Sequence, residues 1–538
     1  MNQLCIQNNN TELCDDFIHD YIKIYPLLND YLQLDKYKYL RSKMIFQYSS
    51  DFISQEFQLY KKYNEKLKTK KILSFYDTIL KHDIQSYLLK SKFNDKYIPL
   101  TSIDNFYSEF MIQIQGIHLY QFTDIDSYQD FMKRIKKIPS ITQEIIKNMK
   151  QGINYKTTIP RRIIQEIIDG LEDIMSKNTP ENRFNHSHKI PIKIKSQFIH
   201  CISKYFITSV TTIHQFLQTD YIHKCRTTIG LSSIPYGEQY YKQIIERDIL
   251  PNTTPSMLMS FGHSEMKRIN KEIKNIQQKL NFEGSLQSFK LHMINSNTYH
   301  SQQDIMKDLH RIQKKIKKKL FPKYFYDTCE SYKIKAVPKE LSNNFAYYIG
   351  PDKQQTRKGV FYINTKHPEL IHKDELAVLS IHEGNPGHHY QVNYHMKHKN
   401  IPLYIQSQIY DIYSEGWALY TESFTDIYSI RELYWKYIYE LHRSLRLVLD
   451  TGIHYYKWPY EKCFDLMKTQ LCMKSNDIKD ELYRYICLPG QALTYKCGES
   501  IFMIMRDKYL QTHKNCKDFH KHILSIGPCP IQILMNTI

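Results

Sequence analysis

"SIHEGNPGHHYQ", Ser380–Gln391, is the stretch on which the reading of this chain turns. Zinc peptidases of the H-E-x-x-H type carry two histidines four apart on one helical face. His382 and Glu383 fit that pattern, but the residue four after His382 is Pro386, and the next histidines are His388 and His389. A helix rises about 1.5 Å per residue, so His389 would share the face of His382 but lie about 10 Å further along the axis. Zinc–imidazole bonds are only about 2 Å long, so a straight helix cannot bring that pair to one ion. His388 is nearer in rise but on another face. Pro386 and Gly387 would prevent a straight helix. Proline removes an amide donor and clashes with the preceding turn, and glycine opens backbone conformations that other residues avoid. A kink or loop-out there would swing His388 back toward His382. The competing reading is an incidental cluster in a chain with 24 histidines.

The flanking sequence adds to both sides of this question. "KDELAVLSIHEG" leads into the histidines as a helix, with acidic residues at its start and apolar helix formers after them. Before it, "NFAYYIG", "PDKQQTRK" and "GVFYINT" are two aromatic and β-branched runs around a polar loop, which predicts a hairpin carrying Tyr347 and Tyr348. An edge strand beside a metal helix can receive a substrate backbone by strand addition. An ordinary surface hairpin would have the same sequence pattern.

Downstream, "YSEGWALYTES", Tyr413–Ser423, follows "IQSQIYDI", and the two together predict one long helix. Glu415 sits there among Trp417, Leu419 and Tyr420. A buried carboxylate is costly unless it is paired or bound to a cation. Two histidines and a glutamate from a second helix are the ligand set of thermolysin-type zinc, while a Glu paired with Lys or Arg is the plain alternative. Then "RSLRLVLDTGIHYYKW" carries Arg446, Asp450 and His454, and "YRYICLPGQALTYKCGE" carries Gln491, Tyr495 and Lys496.

Composition limits the classes available. The chain has 538 residues, 42% hydrophobic and 24% charged, with few Gly (16) and Pro (19), which argues for a large core and against collagenous or turn-rich all-β classes. Helical periodicity dominates, as in "QEIIDGLEDIM", "MKRINKEIKNIQQKL" and "YIYELHRSLRLVLDTGIHYY". The fold class expected is mainly α with a small hairpin or sheet beside the histidine segment. The formal charge is +19. Such a balance suits nucleic acid or acidic surfaces, yet the densest run, "RIQKKIKKKL", spaces Ile312, Ile316 and Leu320 four apart, so its lysines read as the wet face of an amphipathic helix. With no nucleic-acid motif, no specific nucleic-acid partner is expected. The 11 cysteines form no C-x-x-C pair, the first residues lack a signal-peptide pattern, and no run reaches the length of a membrane helix. A cytoplasmic or otherwise intracellular protein, away from membranes, is expected.

Together these segments resemble domain-of-unknown-function family 885, a mostly bacterial family with a zincin-like helical fold. Its H-E-x-x-P-G-H-x-x-Q motif is matched by His382, Glu383, Pro386, Gly387, His388 and Gln391. E-G-W-A-L-Y-x-E is matched by Glu415–Tyr420 and Glu422, and R-L-V-x-D-x-G-I-H by Arg446–Val448, Asp450 and Gly452–His454. R-Y-x-x-x-P-G-Q-A-L-x-Y-K-x-G is matched by Arg484, Tyr485, Pro489–Leu493, Tyr495, Lys496 and Gly498. The resemblance is good from Phe198 to Leu534, so 1–197 is expected to be an N-terminal helical region of the same fold and 198–538 the catalytic region with all four motifs.

The resemblance implies a zincin-like metallopeptidase architecture and a zinc-dependent hydrolase of short peptides. His382, His388 and Glu415 would hold one zinc ion, and Glu383 would be the general base. Tyr495 and His454 are the candidate oxyanion donors. Tyr347, Tyr348, Arg446 and Gln491 would bind substrate, with His389, Asp450 and Gln391 behind the ligands. A zinc hydrolase of another amide or ester, and a basic binding protein with a vestigial site, are the alternatives. The intact Glu383 speaks against the last.

Overall fold

The computed structural model describes residues 11–103, 105–116, 120–176, 190–327, 330–337, 345–351, 358–397, 401–513 and 515–538. It is mainly helical with one small three-stranded sheet, and it divides into two compact units. One unit comprises Glu12–Leu73 and Leu80–Tyr240; its elements among the described residues are helices, with an aromatic core that includes Phe110, Phe131 and Phe198. The other contains Tyr241–Ile538 with Ser74–Ile79, and it carries every motif singled out above. The segment 198–240 clusters with the N-terminal unit.

The frame of the motif-bearing unit is a pair of long helices, Pro255–Lys279 and Ile430–His454. The second starts with a capping box, in which the Ser429 side chain accepts from Glu432 N and Glu432 accepts from Ser429 N. The two helices approach closely at Gly262, where an added Cβ would lie 2.8 Å from Val448 Cγ2. The basic run forms the end of helix Gln302–Lys319, with Ile312 and Ile316 buried and Lys314, Lys317, Lys318 and Lys319 exposed. Its charge is therefore solvated, as its spacing predicts.

The predicted hairpin strands are β2, Ala346–Ile349, and β3, Val360–Ile363, paired antiparallel. Most of their connecting loop, 352–357, lies outside the described residues. A strand that the sequence did not announce, β1, Lys333–Ala336, pairs parallel with β3, giving the order β1-β3-β2. The parallel partner buries the central strand: Val360, Phe361 and Ile363 are buried, while β2 at the edge is half-exposed. The expected single helix through "IQSQIYDIYSEGWALYTES" is instead two helices, Leu403–Ser407 and Asp411–Glu422, because Gln408 and Tyr410 are extended.

Candidate metal centre

The histidine segment is not one helix. Leu376–Leu379 is α-helical, Ser380–Gly384 is a wider π turn, and a second helix begins at His388. Between them the chain loops out through Asn385 and Pro386, and Gly387 N donates to the Ile381 carbonyl at 3.0 Å. Only glycine can occupy position 387, since a Cβ there would lie 2.0 Å from the His382 carbonyl oxygen. This loop-out takes up the additional residues, and the His382 and His388 rings come to 4.8 Å between centroids, nearly perpendicular at 86°.

The helix Asp411–Glu422 delivers the third group. Trp417 Nε1 donates to the Pro386 carbonyl at 3.0 Å, tying this helix to the loop-out. Gly416 and Gly498 let it cross the helix Thr494–Leu510 at backbone contact, since a Cβ on Gly416 would be 2.5 Å from Gly498 Cα. Glu415 Oε2 then lies 3.4 Å from His382 Nε2 and 3.5 Å from His388 Nε2. Ligand atoms of His382, His388 and Glu415 all fall within 4.8 Å of one another, and they are the one such cluster among the described residues.

These distances fit a shared cation better than direct hydrogen bonds. Strong charge-assisted N–H···O contacts run about 2.7–2.9 Å. Two ligands about 2.0–2.1 Å from one tetrahedral zinc stand about 3.4 Å apart. Glu415 Oε2 is buried and has no hydrogen-bond donor. His382 Nδ1 is 2.7 Å from Glu422 Oε1, so an Nδ1–H donated there leaves the Nε2 lone pair facing Glu415. Burial opposes charge on His382, but Glu415, Glu422 and Glu383 outweigh it and raise its pKa to about 9 in the absence of a cation. Burial likewise opposes charge on Glu415, yet His388 and His382 hold its carboxyl well below the usual range. The pocket therefore favours positive charge shared among these groups, and the donor set suits zinc.

The other candidates fall into distinct places. Glu383 is half-buried next to His382 in the π turn. His389 is turned away: its Nδ1 is 2.8 Å from the Tyr348 hydroxyl and its Nε2 is 2.8 Å from the Glu330 carbonyl. Burial pushes its pKa down to about 4, so it is neutral. Tyr348 on β2 thus holds His389, while Tyr347 stacks on Tyr362 with centroids 4.9 Å apart. Gln391 is buried and donates Nε2–H to the Tyr413 carbonyl, joining the two motif helices.

The hydrogen bonds of Asp450 do not run to a histidine. It accepts from the Tyr241 hydroxyl at 2.6 Å and from Gly490 N, and so anchors the turn that precedes Gln491. The carboxylate on His382 is Glu422, a role the sequence reading did not assign. His454 Nε2 is 2.9 Å from the Tyr485 carbonyl, which engages that nitrogen. Tyr495 is one turn before the Gly498 crossing, and its hydroxyl accepts from Arg484 Nη2 at 2.6 Å, with Gln491 Nε2 at 3.5 Å. Burial and the nearby Glu415 charge raise the Tyr495 pKa, against the pull of Arg484 and Arg446. The Arg446 guanidinium lies 4.5 Å from the Tyr495 ring centroid. Arg484 and Glu422 both stood in quoted motifs. Their signal was spacing, since Glu422 is two helical turns beyond Glu415 and shares its face.

The family described as "Bacterial protein of unknown function (DUF885)" matches residues 35–538. Among solved structures, one described as "putative lipoprotein from Colwellia psychrerythraea" superposes with a TM-score of 0.89 at 19% identity, covering 98% of this chain and 97% of that one. A "putative lipoprotein of unknown function from Shewanella oneidensis" superposes with a TM-score of 0.77 at 16% identity, covering 98% and 99%. At these identities the likeness is one of fold. No curated protein matches the chain.

Proposed function

The chain belongs to the DUF885 family, and we propose that it is a zincin-like, zinc-dependent hydrolase that cleaves peptide bonds of short peptides. The observation that carries this reading is the convergence of His382, His388 and Glu415, with Glu415 Oε2 buried and without a donor. Zinc, when bound by these three, supplies Lewis acidity and a water whose pKa is brought to about 7.

The chain's own residues do the rest. The Glu383 carboxylate takes a proton from the attacking water and passes it to the leaving nitrogen. In balance, the C–N bond breaks, hydroxyl joins the acyl carbon and hydrogen joins the amine. The Tyr495 hydroxyl accepts from Arg484, so its own proton is free to be donated to the oxygen that gains charge. His454 is engaged at Tyr485 and is better read as a support for that segment. Among the described residues β2 is an edge strand, suited to receive an extended substrate backbone, with Tyr347 and Tyr348 braced on Tyr362 and His389.

No helix among the described residues is long and apolar enough to cross a membrane. The intracellular placement belongs to this proposal and is supported by cysteines such as Cys201, Cys225 and Cys463, which form no disulfide. The two similar structures are described as putative lipoproteins.

The test is hydrolysis of short peptides by the zinc-loaded parent and by Glu383→Gln. The variant should keep its zinc and fold and lose turnover by about 10²–10⁴. Full activity in Glu383→Gln would place the chemistry elsewhere, and hydrolysis of esters but not peptides would favour the broader amide or ester hydrolase.

A further inference from the structure

Two guanidinium groups converge on Tyr495. Arg446 Cζ is 4.5 Å and Arg484 Cζ 5.6 Å from its ring centroid. Arg446 is only 4% exposed. Its Nε donates to the Tyr485 hydroxyl at 3.0 Å and its Nη2 to Glu481 Oε2 at 3.2 Å, while its Nη1 is buried with no partner. Arg484 Nη2 donates to Gln491 Oε1 and to the Tyr495 hydroxyl, and its Nη1 lies 3.7 Å from the same Glu481. Glu481 also faces His442 at 3.6 Å.

One carboxylate is therefore shared by two permanent cations. Asp411 also acts on Arg484; burial and the Glu415 and Asp248 charges raise it to about 6, so it is still largely ionised near neutral pH. A buried guanidinium with an unused N–H is costly unless an acceptor arrives. The unpartnered Arg446 Nη1 beside the Arg484 guanidinium suits a planar pair of acceptors, which is the chemistry of a carboxylate. The position is also informative. The Gly416–Gly498 crossing sets Glu415 and Tyr495 within one turn of the same backbone contact.

We infer that Arg446 and Arg484, arranged around Tyr495, recognise the free C-terminal carboxylate of the peptide, so that cleavage falls close to the C-terminus. This rests on the peptidase reading, and it adds to it the end of the substrate that is bound. An acidic side chain within the peptide offers the same chemistry, and the experiment separates the two sources.

Zinc-loaded Glu383→Gln, which should bind peptide without turning it over, is titrated with an alanine-rich hexapeptide as the free acid, as the C-terminal amide, and as the amide with one internal Glu. The free acid should bind about tenfold or more tighter than either amide, the worth of one charged hydrogen bond. Adding Arg484→Ala should bring the three within about twofold of one another, with zinc content and melting temperature retained. Arg446→Met, closer in volume to its parent, gives the same readout from the buried side. With the active parent, lengthening the peptide at its N-terminus should leave the cut at the same distance from the C-terminus. Equal binding of acid and amide overturns the inference, as does a preference that follows the internal Glu or survives both arginine substitutions. If acid-selective binding appears but the parent cuts no peptide, the peptidase reading fails while the carboxylate site stands.

Discussion

Adjacent histidines at 388 and 389 have opposite surroundings, and the difference is testable. His388 Nε2 points at Glu415, whereas both ring nitrogens of His389 are taken by Tyr348 and the Glu330 carbonyl. His388→Ala should lose zinc, and His389→Ala should retain it with some loss of stability, as read by metal content and melting temperature. The reverse pattern would exchange the ligand assignment. Glu422→Gln keeps the shape of the acceptor on His382 but removes its charge, and zinc affinity should fall by about 10–100-fold, measured by competition with a chelator. The residue types at this site were legible in the sequence because zinc chemistry restricts them to His and carboxylate. Glu422 was not assigned a role because an acid two turns along a helix is equally suited to solvent. His454 and Asp450 were read as site groups from type alone, and their bonds to Tyr485, Tyr241 and Gly490 depend on packing that no spacing encodes.

The loop-out and the glycine crossing are the elements that make the site. Pro386 and Gly387 announced a break in the histidine helix, and a break is there. The π turn that precedes it has no comparable sequence mark, since "LSIHEG" is compatible with an ordinary helix. Strand β1 escaped notice because "KIKA" alternates charge and small apolar residues over too short a run to differ from a loop. The gap at Gln408–Tyr410 likewise carries no Gly or Pro. The Gly416–Gly498 contact gives a direct test at this scale. A Cβ on Gly498 would stand 2.5 Å from both Gly416 Cα and the Ile412 carbonyl oxygen. Gly498→Ala should force the two helices apart, destabilise the fold by about 1–3 kcal/mol, and lower turnover more than peptide affinity, because Tyr495 moves relative to Glu415. A melting curve and a kcat/KM measurement would show this. Wild-type stability and turnover in that variant would mean the crossing is looser than described.

At the scale of the whole molecule, the mainly helical class followed from periodicity, and the charge of +19 is the feature most open to misreading. The lysines of Gln302–Lys319 stand on the exposed face of a helix whose other face is buried. Binding to DNA or RNA should therefore be weak, without sequence preference, and lost by physiological salt in a titration followed by anisotropy. A tight, salt-resistant complex with one oligonucleotide would show that the charge has a function of its own. The boundary between units was less legible than the class, since the segment 198–240 carries the same helical pattern as its neighbours on both sides. The central claim remains the shared cation at His382, His388 and Glu415. Its most direct test is zinc per chain in the purified parent, in Glu383→Gln and in Glu415→Gln, after loading and exhaustive dialysis. The account predicts about one zinc in the first two and little in the third, since an amide is a poor zinc ligand. No zinc in the parent, or a full equivalent in Glu415→Gln, would contradict it.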